Sequence, residues 1–322
     1  MAGRGQCAAQ APSRLPALLL ALALLLAGCA TPQAEALRAG GLAGVPRAHD
    51  IAGVPYYPQE QDQCGPATLA MALTASGLQR DPVALRDSVF LPGRAGTLAP
   101  EMLAATRRQG RLAVTVPGRL EAVLREVAAD HPVIVLQNLG LSFFPVWHYA
   151  LLVGYDLDTQ SLWLRSGPQP RARMGLDLFE RTWARGGYWA MLALAPGDLP
   201  VTRDGADLVD AIAALERVDA PAARQAYTAL TRRAPREFGA WLGAGNTAYG
   251  AGDWTGAVNA FQTACALQPE SADCWNNLAS ALLDSGAPAP AQAAVARALA
   301  IGGPHQQTYE ETQRQIRASA GH

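Results

Sequence analysis

One cysteine and one histidine in this chain have the surroundings that nucleophilic catalysis needs: Cys64 and His148, 84 positions apart. A thiol attacks a carbonyl only as the thiolate. An imidazole, with an ordinary pKa of about 6.5, is the side chain best matched to take its proton near neutral pH. Proline-rich polar sequence ends at Cys64, where an apolar run of good helix formers begins, Cys64-Gly-Pro-Ala-Thr-Leu-Ala-Met-Ala-Leu73. Pro66 fits a first helical turn, because its missing N–H would find no partner there, and Gly77 supplies a helix end. Cys64 is therefore expected at or just before a helix N-terminus, where unpaired N–H groups and the helix dipole favour thiolate. The alternative is a cysteine buried as a small apolar residue. His148 opens a strand-like run, from which an imidazole can lean toward a helix-borne thiol. A third residue must orient its ring, and the candidates are Ser166, just after the next strand, and Asp156, at the far end of the same strand. At about 3.3 Å per residue, Asp156 lies roughly 23–27 Å from His148. Ser166 comes back level with the histidine, although a hydroxyl orients less strongly than a carboxylate.

The elements that must hold these residues follow from periodicity. After the Cys64 helix, Asp81-Pro82 reads as an N-cap with proline at the first helical position, opening a helix over Val83 to Phe90. Further short helices are expected from Thr97 or Leu98 to Arg108 and from Arg119 to Ala129. Strands follow at Pro132–Asn138, Tyr149–Tyr155, Ser161–Arg165 and Tyr188–Leu194. Turn residues from Asp156 to Gln160 make the middle two an antiparallel hairpin. Helices first and an antiparallel sheet afterwards, with the nucleophile heading the first helix, resembles the papain-like layout. Phe143, Phe144, Trp147 and Tyr149 either line a substrate groove or pack into the core, and Trp183 and Trp189 read as core.

The chain has 322 residues, enough for two domains, and a net charge of −1 with 16% charged residues points away from nucleic acid. Arg4 and Arg14, then the apolar run Leu15–Ala27, read as a signal peptide too short to span a bilayer. Leu26-Ala27-Gly28-Cys29 resembles the bacterial lipobox, which implies a lipidated Cys29 as the mature N-terminus. Ala30, rather than Asp, after it implies by the same resemblance an outer-membrane anchor facing the periplasm. Residues 1–28 are thus a lipoprotein signal peptide and 29–49 a flexible Pro/Ala/Gly-rich tether. Of the remaining cysteines, Cys265 and Cys274 could pair in an oxidising compartment, which leaves Cys64 as the nucleophile candidate. There is no Gly-rich phosphate loop and no His-Glu-x-x-His, and His49, His131, His305 and His322 are scattered, so neither cofactor nor metal is expected.

Gln59…Gln63-Cys64-Gly65-Pro66-Ala67, followed by His148-Tyr-Ala-Leu-Leu-Val-Gly-Tyr-Asp156, resembles the bacteriocin-processing, double-glycine-leader cysteine peptidases. Their stand-alone relatives in envelope lipoproteins are the nearer likeness. The resemblance covers about 150 residues, within the domain expected over 50–197, and implies Cys64 as nucleophile, His148 as base and an upstream glutamine as oxyanion donor. Gln59 is the first choice for that donor, with Gln61 and Gln63 open. Gln63 stands where the family commonly has Asp. Ser166-Gly167 stands where Asp-Pro usually follows the next strand, which leaves the third member between Ser166 and Asp156.

Ala195-Pro-Gly-Asp-Leu-Pro200 punctuates a boundary, and a period of 34 follows it. Trp241 and Trp275, Ala223, Ala257 and Ala291, and Tyr227, Phe261 and Val295 all keep that interval. This is the tetratricopeptide period, so residues 198–322 are expected to stack helix pairs, closed by a polar capping helix from Gln306 to Arg317. The fold class is an α+β papain-like cysteine peptidase domain followed by an all-α tetratricopeptide-repeat solenoid. The expected function is a membrane-anchored cysteine peptidase acting on a peptide or protein substrate, with a protein partner on the repeats. A catalytically inactive peptidase-like scaffold is the alternative, and transfer of the acyl group to an amine a third.

Overall fold

The computed structural model describes residues 30–59, 63–91, 93 and 96–319. Helix α1 (Pro32–Gly40) and strand β1 (Ala48–Asp50) come first, then α2 (Cys64–Ala75), α3 (Pro82–Val89), β2 (Phe90–Leu91), β3 (Gly96–Thr97) and α4 (Ala99–Arg108). The sheet-forming half follows as β4 (Leu112–Thr115), α5 (Leu120–Ala128), β5 (Val133–Asn138), β6 (Trp147–Asp156), β7 (Ser161–Ser166), β8 (Gln169–Gly175), α6 (Leu176–Arg185) and β9 (Ala190–Leu194). Every residue of α2 from Gly65 to Leu73 is buried. An apolar helix without a polar face has nowhere to lie but inside.

The main sheet runs β4-β9-β5-β6-β7-β8, with β1 added to β6, and every pairing is antiparallel. β6 pairs β5 from Trp147 to Leu152, so His148 faces Gln137 across the ladder. Gln160 takes a positive φ of 53° where β6 turns into β7. The helices and strands expected from periodicity are present with ends shifted by one or two residues. α1, β1, β2, β3, β4, β8 and α6 are additional. β4 has only 4 residues. β8, the edge strand, is mostly exposed and carries Pro170, Arg171 and Arg173, so it shows no apolar alternation.

The expectation of a flexible tether over 29–49 is corrected for its described part. Residues 32–40 are helical and 48–50 are a strand. The buried Glu180 of α6 accepts the Gln33 and Ala34 N–H groups at 3.0 and 2.7 Å, and Thr31 donates to Asp177 at 2.9 Å. The carboxylates that satisfy the start of α1 lie nearly 150 residues downstream, so local sequence gave no sign of them.

Helices α7 (Gly205–Glu216), α8 (Ala220–Arg233), α9 (Phe238–Gly250), α10 (Trp254–Leu267), α11 (Ala272–Asp284), α12 (Pro288–Ile301) and α13 (Gln306–Ser319) complete the chain. The period is visible in the bonding. Trp241 Nε1 donates to Pro235 O and Trp275 Nε1 to Pro269 O, both at 2.9 Å. Asp219 and Asp253 cap α8 and α10 in the same way. The Phe261 ring occupies the space where a side chain at Gly245 would begin. The apolar core of the first domain continues through β4 into Leu208, Ile212, Tyr227 and Leu230, so α7 and α8 are packed onto the sheet.

Candidate active site

Cys64 is the first residue of α2 and half-buried. Gln63, at the N-cap, makes no side-chain cap bond. A Cβ at Gly65 would collide with the Thr97 side chain, so only glycine lets the start of α2 press against β3 here.

His148, second residue of β6, is held by Ser166, whose Oγ lies 2.8 Å from its Nε2. Burial lowers the imidazole pKa from its ordinary value, so the ring is neutral, and hence a base, at neutral pH. Leu151 faces Arg165 across β6 and β7, which sets Ser166 one diagonal step from His148. A register shift between Leu164 and Ser166, and Gly167 at φ 57°, turn the chain there.

The structure does not bring Asp156 to the histidine, and its candidacy as third member is corrected. It sits at the opposite end of β6, where Oδ1 accepts the N–H groups of Asp158 and Thr159 at 2.8 and 3.0 Å. Those bonds, that of Thr159 foremost, hold its carboxyl below the usual range. The strand does not bend back, because its last residues still pair with β7 and β1.

Gln59 ties the two sides together. Its Nε2 donates to Thr68 Oγ1 at 3.0 Å, and its Oε1 accepts the Gly167 N–H at 2.9 Å, one residue past Ser166. Thr68 in turn donates to the Tyr149 carbonyl at 3.2 Å, one residue past His148. Thr68 lies one helical turn from Cys64 on the same face of α2. The Tyr149 hydroxyl donates to Thr97 O at 3.3 Å. Burial, and then the charge of Cys64, push its pKa up. One Nε2 proton of Gln59 is committed to Thr68. Gln61 and Cys29 lie outside the described residues.

The sequence alone singled out neither Thr68 nor Tyr56, and Gly167 only as standing where proline usually follows. Tyr56 donates to the Gly167 carbonyl at 2.9 Å, completing the clamp on the turn after Ser166. The one available signal was Thr68, a hydroxyl in an otherwise apolar buried run. Of the four aromatics that precede and follow His148, Tyr149 is core and meets Trp189 edge-on at 5.8 Å. Phe143, Phe144 and Trp147 are exposed, so core packing does not describe them. Cys265 and Cys274 form a disulfide between α10 and α11, with Cα atoms 5.7 Å apart.

Residues 51–188 match the model of the Peptidase_C39 like family, and residues 208–258 and 242–305 match that of the tetratricopeptide repeat. No curated protein matches the chain. Among solved structures, a C39-like peptidase from Bacillus anthracis is 18% identical and aligns over 46% of this chain and 97% of its own, with a TM-score of 0.40. The peptidase domain of Streptococcus ComA, a transporter of a quorum-sensing pathway, is 22% identical over 44% and 98%, with a TM-score of 0.34. The TPR2B domain of yeast Sti1, in complex with an Hsp70 peptide, is 17% identical over 32% and 86%, with a TM-score of 0.31. This chain carries a Peptidase_C39-like domain over residues 51–188, followed by tetratricopeptide repeats.

Proposed function

We propose that the protein is an envelope-anchored cysteine peptidase. The observation that carries this reading is the hydrogen-bonded ring joining the Cys64 helix to the His148 strand through Gln59, Thr68, Gly167 and Ser166. In the reaction, His148 Nδ1 takes the Cys64 proton and the sulfur adds to a peptide carbonyl. The oxyanion meets the Cys64 N–H and the second Nε2 proton of Gln59. An oxyanion donor of this kind is worth about 3–4 kcal/mol. As the carbonyl re-forms, the C–N bond breaks, and the imidazolium protonates the leaving amine. Water then hydrolyses the thioester, with His148 as its base. The lipobox-like Leu26-Ala27-Gly28-Cys29 supports an acyl anchor, and the Cys265–Cys274 disulfide fits an oxidising compartment such as the periplasm. The repeats supply a surface for a protein partner.

A thiol-reactive peptide probe tests the chemistry. Labelling at neutral pH that is lost in both Cys64→Ala and His148→Ala is expected. Absence of labelling in the native protein would leave a non-catalytic scaffold.

A further inference from the structure

The segment between β5 and β6 holds a run of apolar side chains out in water. Leu139, Leu141, Phe143, Phe144, Val146 and Trp147 are all exposed, Phe143 by 72% and Phe144 by 74%. The segment is built to do so. Asn138, itself buried, accepts the Gly140 and Val146 N–H groups at 2.9 Å each and donates to Leu141 O at 3.3 Å. Leu141 and Phe144 close a β-bridge, and the Phe143 and Phe144 rings meet edge to face at 5.3 Å. Arg185 donates twice to the Asn138 carbonyl from below, at 3.2 and 3.0 Å. A fixed tip of this kind, rather than a collapsed one, is the mark of a surface awaiting an apolar partner.

We infer that this tip is the binding wall for apolar residues on the leaving-group side of the scissile bond. The inference rests on the peptidase reading, because it takes its direction from the chemistry. His148 must hand a proton to the departing amine, so the residues after the cleaved bond lie on the His148 side. Trp147 and His148 open β6, so the tip leaves the sheet at the strand end that carries the histidine, with the two side chains on opposite faces. A peptide is favoured over a bilayer as occupant. Residues 139–147 contain no Lys or Arg to meet anionic headgroups, and the guanidinium of Arg185 is bonded to the Asn138 carbonyl.

The test uses the full chain and internally quenched octapeptides randomised at every position, with products read by mass spectrometry. Phe, Tyr, Trp, Leu or Ile is expected at least tenfold enriched at the first or second position after the cut. The Phe143→Ser, Phe144→Ser double variant should flatten that enrichment with an unchanged unfolding midpoint, since both side chains stand clear of the core. Unchanged enrichment in the variant overturns the proposal. A binding arm separates it from the peptidase reading: Cys64→Ala protein should bind a fluorescent Phe-Leu-Phe-Trp peptide at least tenfold tighter than a Ser-Asn-Ser-Gln peptide. If that preference holds but the native protein cleaves nothing, the peptidase reading fails and the apolar surface stands. Equal binding of the two peptides overturns the surface whatever is cleaved. So does a double variant that loses sedimentation with phosphatidylethanolamine–phosphatidylglycerol vesicles but keeps its peptide preference.

Discussion

At the scale of single residues, the catalytic proposal depends on how the His148 ring is held. A neutral hydroxyl orients it, and burial lowers its pKa, with no carboxylate at hydrogen-bond distance among the described residues. Removing one uncharged hydrogen bond typically costs about 1 kcal/mol. Ser166→Ala should therefore lower kcat about fivefold with KM little changed. A loss of a thousandfold would mean that Ser166 is more than an orienter. The pH dependence has a defined sign. Burial disfavours imidazolium, so the base form persists below the ordinary value of about 6.5. Alkylation of Cys64 by iodoacetamide should thus have its acid limb below about 6.5. An inflection near 8.5 would be that of an unassisted thiol.

At the scale of elements, α2 and β6 are joined through one buried hydroxyl. Thr68 accepts from Gln59 and donates to the Tyr149 carbonyl, so a substitution there strands a donor and an acceptor together. Thr68→Val should cost about 1–3 kcal/mol in denaturant unfolding and reduce kcat, while Thr68→Ser should recover most of both. A valine variant with native activity would show that the clamp does not set the site. Most of these elements were legible in the sequence, because α2 announces itself by Pro66 and its apolar run and β5 to β7 by their composition. The contacts that tie them were not. Gln59 meets Gly167 across 108 positions, and nothing in either residue's neighbourhood points to the other.

At the scale of the molecule, the two domains share an apolar core and a polar clamp. Glu126 of α5, fully buried, accepts the Val201 and Thr202 N–H groups at 3.2 and 2.8 Å, and lies 2.7 Å from His131 Nδ1. His131 Nε2 reaches Asp198 at 3.3 Å. Burial opposes charge on this ring, but the two carboxylates outweigh it and raise its pKa to about 9. A histidine whose folded pKa lies above its unfolded value of about 6.5 contributes stability that is complete below 6.5 and lost as pH rises through about 9. Denaturant unfolding should therefore show a fall in stability between pH 6.5 and 9.5 that is smaller in His131→Gln. An equal fall in both proteins would remove the clamp from the account of how the repeats are held.

The sequence by itself determined which chemistry was available and in what order the parts come. A cysteine at a helix start, a histidine at a strand start and a period of 34 are local patterns, and local patterns need no third dimension to be read. Only the tertiary structure shows that Ser166, and not Asp156, lies beside His148, because that depends on whether β6 bends back or runs on to its turn. Tertiary contacts likewise turned the expected tether into a docked helix, since the carboxylates at its N-terminus come from α6. They also left three aromatics beside the histidine in water, because burial is a property of what packs against a residue and not of the residue itself.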